Sequence, residues 1–118
     1  MKDFRSLLVW QKAHQMALRV FQLTEAFPPN KAYFSNQLQR AALSVPTNIA
    51  EGSGRGSDGD LRRFLQISMG SASEVEYLLL MAHDLQLIDP SQYQETNKMI
   101  VEVKRMLAAF IGKLRTSR

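Results

Sequence analysis

The stretch QLQRAALSVPTNIAEGSGRGSDGDLRR, residues Gln37–Arg63, decides the fold of this chain of 118 residues. Apolar and small side chains recur in it in alternating steps of four and three, which lines one face of an α-helix; they are Leu38, Ala42, Val45, Ile49 and Gly52. Pro46 falls inside this helix, where it removes a backbone donor and crowds the preceding turn, so we expect a bend there. Gly52 and Gly54 are expected to supply the left-handed or strained backbone that ends the helix.

A second amphipathic helix is expected to follow this stretch directly. Its N-cap is Ser57 or Asp58, since both side chains can accept a hydrogen bond from the first turn. Asp58 and Asp60 also lie in that turn, where the helix dipole favours negative charge. Apolar spacing then continues along one long helix, from about residue 59 to about residue 87.

Helical spacing also covers both ends of the chain. A first helix is expected over residues 7–26 with Ser6 as its cap, and Ser35 is the expected cap of the central helix. Asp89-Pro90-x-Gln92 has the capping-box pattern that begins a last helix. Because the connections are short, successive helices should be antiparallel. The sequence predicts an all-α, up-down-up-down antiparallel four-helix bundle that forms one domain over residues 1–118.

Several motifs along the chain carry a family resemblance. They are Val9-Trp10-Gln11-Lys12-Ala13, Phe27-Pro28, Gln37-x-x-Arg40-Ala41-Ala42-x-Ser44-Val45-Pro46-x-Asn48-Ile49-Ala50-Glu51-Gly52, Phe64-Leu65 and Gly70-Ser71-x-x-Glu74. Together they resemble the bacterial four-helix-bundle family of 23S rRNA intervening-sequence proteins, to which the accessory variability protein of diversity-generating retroelements is related. The resemblance implies a left-handed bundle, assembly into a homopentamer and association with RNA or another nucleic acid.

Composition narrows the class of protein. The chain has no cysteine, which excludes disulfides and thiolate metal sites. No apolar run is long enough to span a membrane, and the first residues lack the apolar core of a signal peptide. We therefore expect a cytoplasmic protein with no membrane partner. The net charge of +4 permits a polyanionic partner without requiring one.

No residue pattern points to an enzyme. Gly54-x-Gly56-x-x-Gly59 matches the dinucleotide-binding spacing, but a helix precedes it where that site needs a strand. His14 and His83 lack the converging His, Asp and Glu ligands of a metal site. The serines have no general base nearby. We expect no catalytic residue, no metal, no cofactor and no small-molecule substrate.

The charges are polarised along the expected bundle. One end collects residues 1–12, 48–66 and 105–118, which contain ten Lys and Arg and four Asp and Glu. The opposite end, residues 20–38 and 77–98, contains two Lys and four Asp and Glu. The basic end predicts a sequence-independent phosphate-binding surface; its candidate residues are Arg55, Arg62, Arg63, Lys113 and Arg115. Alternatively, the C-terminal cations only complement the negative end of the last helix. No basic–aromatic interleaving of the kind that stacks single-stranded bases is evident.

The antiparallel register predicts contacts between the two central helices. Ala41 and Ala42 should oppose the stretch Met69-Gly70-Ser71-Ala72, since small residues on both sides let two helix backbones approach closely. The same register predicts two structural ion pairs, Arg40 with Glu74 and Glu51 with Arg63 or Arg62.

A second apolar stripe beside the core stripe of the first helix indicates a subunit interface; it consists of Trp10, Ala17 and Phe21. The alternative is that these side chains only widen the core of a monomer.

The sequence thus predicts a non-enzymatic homo-oligomer, pentameric by resemblance, that binds RNA or DNA or serves as a ribonucleoprotein accessory factor. The alternative function is a protein-interaction scaffold that does not bind nucleic acid directly.

Overall fold

The computed structural model describes residues 3–116, and these residues form helices and turns without a strand. Two 3₁₀ helices, Phe4–Ser6 and Pro29–Lys31, precede the first and second long helices. The long helices are α1 (Leu8–Thr24), α2 (Ala32–Ser53), α3 (Asp58–Asp84) and α4 (Pro90–Thr116).

The four helices form a bundle in which each packs on its neighbours along the chain, and α4 also packs on α1. Two ion pairs fix the direction of this last contact, because Lys12 lies 3.7 Å from Glu102 and Arg19 lies 2.7 Å from Glu95. Residue numbers therefore increase along α1 in the direction in which they decrease along α4, so the two helices are antiparallel. The bundle measures 47 × 21 × 20 Å. The predicted all-α, up-down-up-down antiparallel bundle is confirmed.

One apolar stripe from each helix fills the core. Its largest fully buried side chains include Met16, Leu38, Ile49, Leu65, Leu79, Ile100 and Leu107. Burying one such side chain stabilises the fold by roughly 1.5–3 kcal/mol. Packing of these stripes, more than the helix propensity of any one segment, therefore holds the bundle together.

Two of the expected helix caps are confirmed. Ser57 Oγ accepts a hydrogen bond of 3.1 Å from the backbone N–H of Asp60 at the start of α3. At the start of α4, Gln92 N–H donates to Asp89 Oδ1 at 2.7 Å, and Asp89 N–H donates to Gln92 Oε1 at 2.9 Å. This reciprocal pair is the capping box that the sequence predicts.

The other two expected caps are wrong. Ser6 belongs to a 3₁₀ helix and donates its hydroxyl to the backbone carbonyl of Asp3 at 2.7 Å, while Leu7 precedes α1. Ser35 lies inside α2, which begins at Ala32. The 3₁₀ helix Pro29–Lys31 leads straight into α2, because the fixed φ of a proline suits a first helical turn.

α2 continues through the buried Pro46. The carbonyls of the three preceding residues each accept a side-chain hydrogen bond: Leu43 from Thr47 at 2.7 Å, Ser44 from Asn48 at 2.8 Å and Val45 from Ser68 at 2.6 Å. These side chains add hydrogen bonds to the turn before the proline, although the acceptor that loses its backbone donor there is the carbonyl of Ala42. The bend at Pro46 stays a prediction.

The glycines of the central stretch have roles that differ from the expected ones. The backbone of Gly54 is in the right-handed helical region, with φ −86°. The glycine with a positive φ, +89°, is Gly56 in the following turn. Glycine is instead required at position 52 because α3 approaches α2 closely there. A Cβ atom added to Gly52 would lie 2.7 Å from Phe64 Cβ. Gly70 faces open space, so including it in the contact expected for Ala41 and Ala42 is wrong, whereas Ala72 is buried in the same core cluster as both alanines.

Candidate nucleic-acid interface

All five predicted phosphate-binding residues lie at one end of the bundle, where α2 and α4 end and α1 and α3 begin. Arg55 is in the turn after α2, Arg62 and Arg63 are in the first turns of α3, and Lys113 and Arg115 are in the last turn of α4. Within the described parts of this end, eight Lys and Arg stand against four Asp and Glu. Two further predicted cations, Lys2 and Arg118, lie outside the described residues.

Arg62 and Arg115 line one cavity of about 190 Å³ between the start of α3 and the end of α4. Its other lining residues are Asp58, Gly59 and Leu114. Neither arginine forms an ion pair with a residue that the structure describes, and Arg62 Nε is buried without a hydrogen-bond partner. With two guanidinium groups and the single carboxylate of Asp58 in its lining, this cavity is suited to an anion.

Arg55 and Arg63 are held by a shared aromatic ring. Their guanidinium carbons lie 4.9 Å and 4.6 Å from the centroid of Phe64, which is buried. Each also has an acidic partner, Glu51 for Arg55 at 3.4 Å and Asp60 for Arg63 at 3.8 Å. These two arginines are therefore well oriented but partly neutralised.

Neither predicted structural ion pair forms. Glu51 pairs with Arg55, one turn further along its own chain, rather than with Arg63 or Arg62. Glu74 accepts a long hydrogen bond of 3.5 Å from Gln37, and Arg40 lies on the outer surface of α2, beside Phe21 and Tyr33.

The register between α2 and α3 does not separate Arg40 from Glu74. The hydroxyl of Ser44 lies 2.7 Å from that of Ser71, and Arg40 precedes Ser44 by one helical turn, so in this antiparallel pair Arg40 comes level with Glu74, about one turn after Ser71. The ion pair is missing because Arg40 lines the groove of Phe21 and Tyr33, while Glu74 accepts a hydrogen bond from Gln37. Among the described residues, Glu76 of α3 does pair across the bundle, with Lys104 of α4 at 2.7 Å.

The three residues of the predicted subunit interface have different environments. Ala17 is buried in the core, so its assignment to an interface is wrong. Phe21 is 37% exposed and lines an open groove together with Leu43, which is 54% exposed. Trp10 is half-buried against its own chain. Of the three residues, Phe21 is the one that remains on an open apolar surface.

The structure contains a basic–aromatic cluster that the sequence did not indicate. The rings of Trp10 and His14 are stacked, with centroids 4.8 Å apart and planes 8° apart. Phe4 meets Trp10 edge-on at 4.9 Å, and the guanidinium of Arg5 lies 4.7 Å from the Phe4 centroid. The spacing of Trp10 and His14 by four residues was the available signal, because such residues share a helix face.

Two kinds of feature were sought over residues 3–116 and were not found. No helix in this range is long and apolar enough to cross a bilayer. No group of three or more His, Cys, Asp or Glu side chains within it could hold a metal ion.

Residues 5–109 match the model of a protein family described as 23S rRNA-intervening sequence protein. The crystal structure of a Bacteroides thetaiotaomicron VPI-5482 protein, described as a member of the S23 ribosomal protein family with unknown function, has the same fold with a TM-score of 0.80. The two sequences are 28% identical, and the similarity covers 88% of this chain and 98% of that one. No curated protein matches the chain.

Proposed function

We propose that this chain, which belongs to the 23S rRNA-intervening sequence protein family, is a non-enzymatic RNA-binding protein that works as a homo-oligomer. The observation that carries the proposal is the pair Arg62 and Arg115, which line one cavity and have no ion-pair partner among the described residues. An RNA-binding role also fits the cytoplasmic location expected from the sequence.

The chemistry of this cavity suits a backbone phosphate. A guanidinium group presents paired N–H donors that match two oxygens of a phosphate. The cavity also borders the N-terminus of α3, whose dipole favours negative charge. Arg55, Arg63 and Lys113 lie at the same end of the bundle and add attraction for a polyanion. Contacts of this kind position a strand without reading its sequence.

Assembly is the second part of the proposal. The family resemblance implies a homopentamer, and the open groove of Phe21 and Leu43 offers apolar surface for a subunit contact. Several basic ends in one assembly would engage the same RNA, and their affinities would combine. The same groove also supports the alternative function, a scaffold that binds another protein through its apolar surface.

The test measures RNA affinity by fluorescence anisotropy at moderate salt, with Arg62→Gln/Arg115→Gln against the wild type. A matched control, Lys31→Gln/Lys98→Gln, removes the same charge from the acidic end. We expect the first variant to bind RNA at least tenfold more weakly and the control to bind like the wild type. Equal affinities for all three proteins, or no binding near physiological salt, would favour the protein scaffold.

A further inference from the structure

Trp10 and His14 stack on the surface of α1, and Phe4 of the preceding 3₁₀ helix meets Trp10 edge-on, so the three rings form a short pile toward the same end as the basic residues. We infer that the outer face of His14 stacks on an unpaired base of a single-stranded stretch of RNA. The inference rests on the proposed function, because it names the form of RNA that the basic end would hold.

The geometry leaves one ring face available. His14 is exposed, and one face of its imidazole lies against Trp10, nearly parallel to it. Trp10 is in turn held from the side by Phe4 and packs against the hydrophobic core. The imidazole is thus backed by a fixed indole, and a base placed on its other face would extend an existing stack.

The pile borders the end of the bundle where Lys and Arg outnumber Asp and Glu among the described residues. The guanidinium of Arg5 lies 4.7 Å from the Phe4 centroid and is paired with Asp3 at 3.2 Å, so this arginine helps to hold the pile more than it adds free charge. The 3₁₀ helix of Phe4 contacts α2, the helix that leads directly into Arg55. A strand with one base stacked on His14 could therefore continue toward the basic end, whose cations attract its phosphates as in other single-strand sites.

The distance between the pile and the cavity of Arg62 and Arg115 fits a short strand. The bundle is 21 × 20 Å in cross-section, which limits how far apart the two sites can lie at one end. At the duplex rise of about 3.4 Å per nucleotide, on the order of six nucleotides cover that width, and a more extended single strand needs fewer. A duplex keeps its bases paired, so it could reach the cavity with its phosphates but could not stack on His14.

The experiment compares a labelled 12-nucleotide RNA single strand with the duplex of the same sequence. The proteins are the wild type, His14→Ala, which removes the ring, and His14→Phe, which keeps an aromatic face. Gln15→Ala, at the next exposed position of α1, is the matched control. Trp10 is the only tryptophan, so its fluorescence reports independently on the pile.

We expect His14→Ala to bind the single strand about tenfold more weakly, with His14→Phe and Gln15→Ala close to the wild type. Duplex affinity should be the same for all four proteins, and only the single strand should change Trp10 emission. If His14→Ala keeps its affinity for the single strand, or if His14→Phe loses as much as His14→Ala, the inference is wrong although RNA binding stands. Loss of all RNA binding in the wild type would overturn the proposed function as well.

Discussion

The hydroxyl of Ser68 donates a hydrogen bond of 2.6 Å to the backbone carbonyl of Val45, directly before Pro46. Ser68 is fully buried in the middle of α3, so this bond ties the two central helices together beside the proline. A buried hydroxyl without a partner would be costly, and the carbonyl provides that partner.

Ser68→Ala is therefore expected to lower the free energy of unfolding by about 1 kcal/mol, the usual net value of one such hydrogen bond. Ser73→Ala removes a hydroxyl from an exposed position of the same helix and should change stability little. Urea unfolding followed by circular dichroism measures both. Equal stability of the two variants would show that the bond to Val45 contributes nothing.

Gly52→Ala should destabilise the protein by roughly 1–3 kcal/mol, because its new Cβ atom would lie 2.7 Å from Phe64 Cβ. The Cβ atom of Phe64 is bonded directly to the backbone, so a change of rotamer cannot move it away. Gly70→Ala is the matched change, since its Cβ atom would meet nothing within 4 Å. That variant should gain about 0.5–1 kcal/mol from the better helix propensity of alanine. Thermal unfolding should therefore shift in opposite directions, and shifts of the same sign would contradict the packing argument.

The ion pair between Lys104 and Glu76 should couple α3 to α4. Its atoms are 2.7 Å apart, and the two side chains are only 29% and 37% exposed. A double-mutant cycle with Lys104→Met and Glu76→Gln should give a coupling energy on the order of 0.5–1 kcal/mol. The coupling should shrink in high salt, because partly exposed charges are screened. A coupling of zero at low salt would show that the pair is only incidental.

Phe21→Glu should weaken self-association, since it replaces an exposed apolar ring beside Leu43 by a charged side chain. Light scattering at micromolar concentration measures the mass, and circular dichroism checks that helicity is retained. Tyr77→Glu, a matched change at an exposed aromatic residue of α3, should leave the mass unchanged. A wild-type mass of 13.4 kDa would show a monomer and contradict the proposed homo-oligomer.

The salt dependence of RNA binding should identify the phosphate contacts. The slope of log affinity against log salt changes by about 0.7 for each phosphate contact on a single strand. If Arg62 and Arg115 each hold one phosphate, their double replacement by Gln should reduce the slope by roughly 1.4. Replacement of Lys31 and Lys98 should not alter it. An unchanged slope in the arginine variant would place the bound phosphates elsewhere.

The sequence alone determined the four helices, their antiparallel order and the position of the charges. Helical periodicity, the caps at Ser57 and Asp89, and short connections act within a few residues, so they can be read along the chain. The order of the helices also placed all five candidate cations at one end. The boundaries near Ser6 and Ser35 were missed because 3₁₀ turns replace the expected caps.

Only the tertiary structure decided which side chains meet. The register of α2 and α3 sets Ser44 opposite Ser71, and Arg40 turns toward Phe21 rather than toward Glu74. Likewise, Arg62 comes to lie beside Arg115, and Phe4 beside Trp10, through the packing of separate segments. The physical reason is that periodicity fixes the face a residue occupies, whereas interlocking of side chains fixes how far one helix slides along the next.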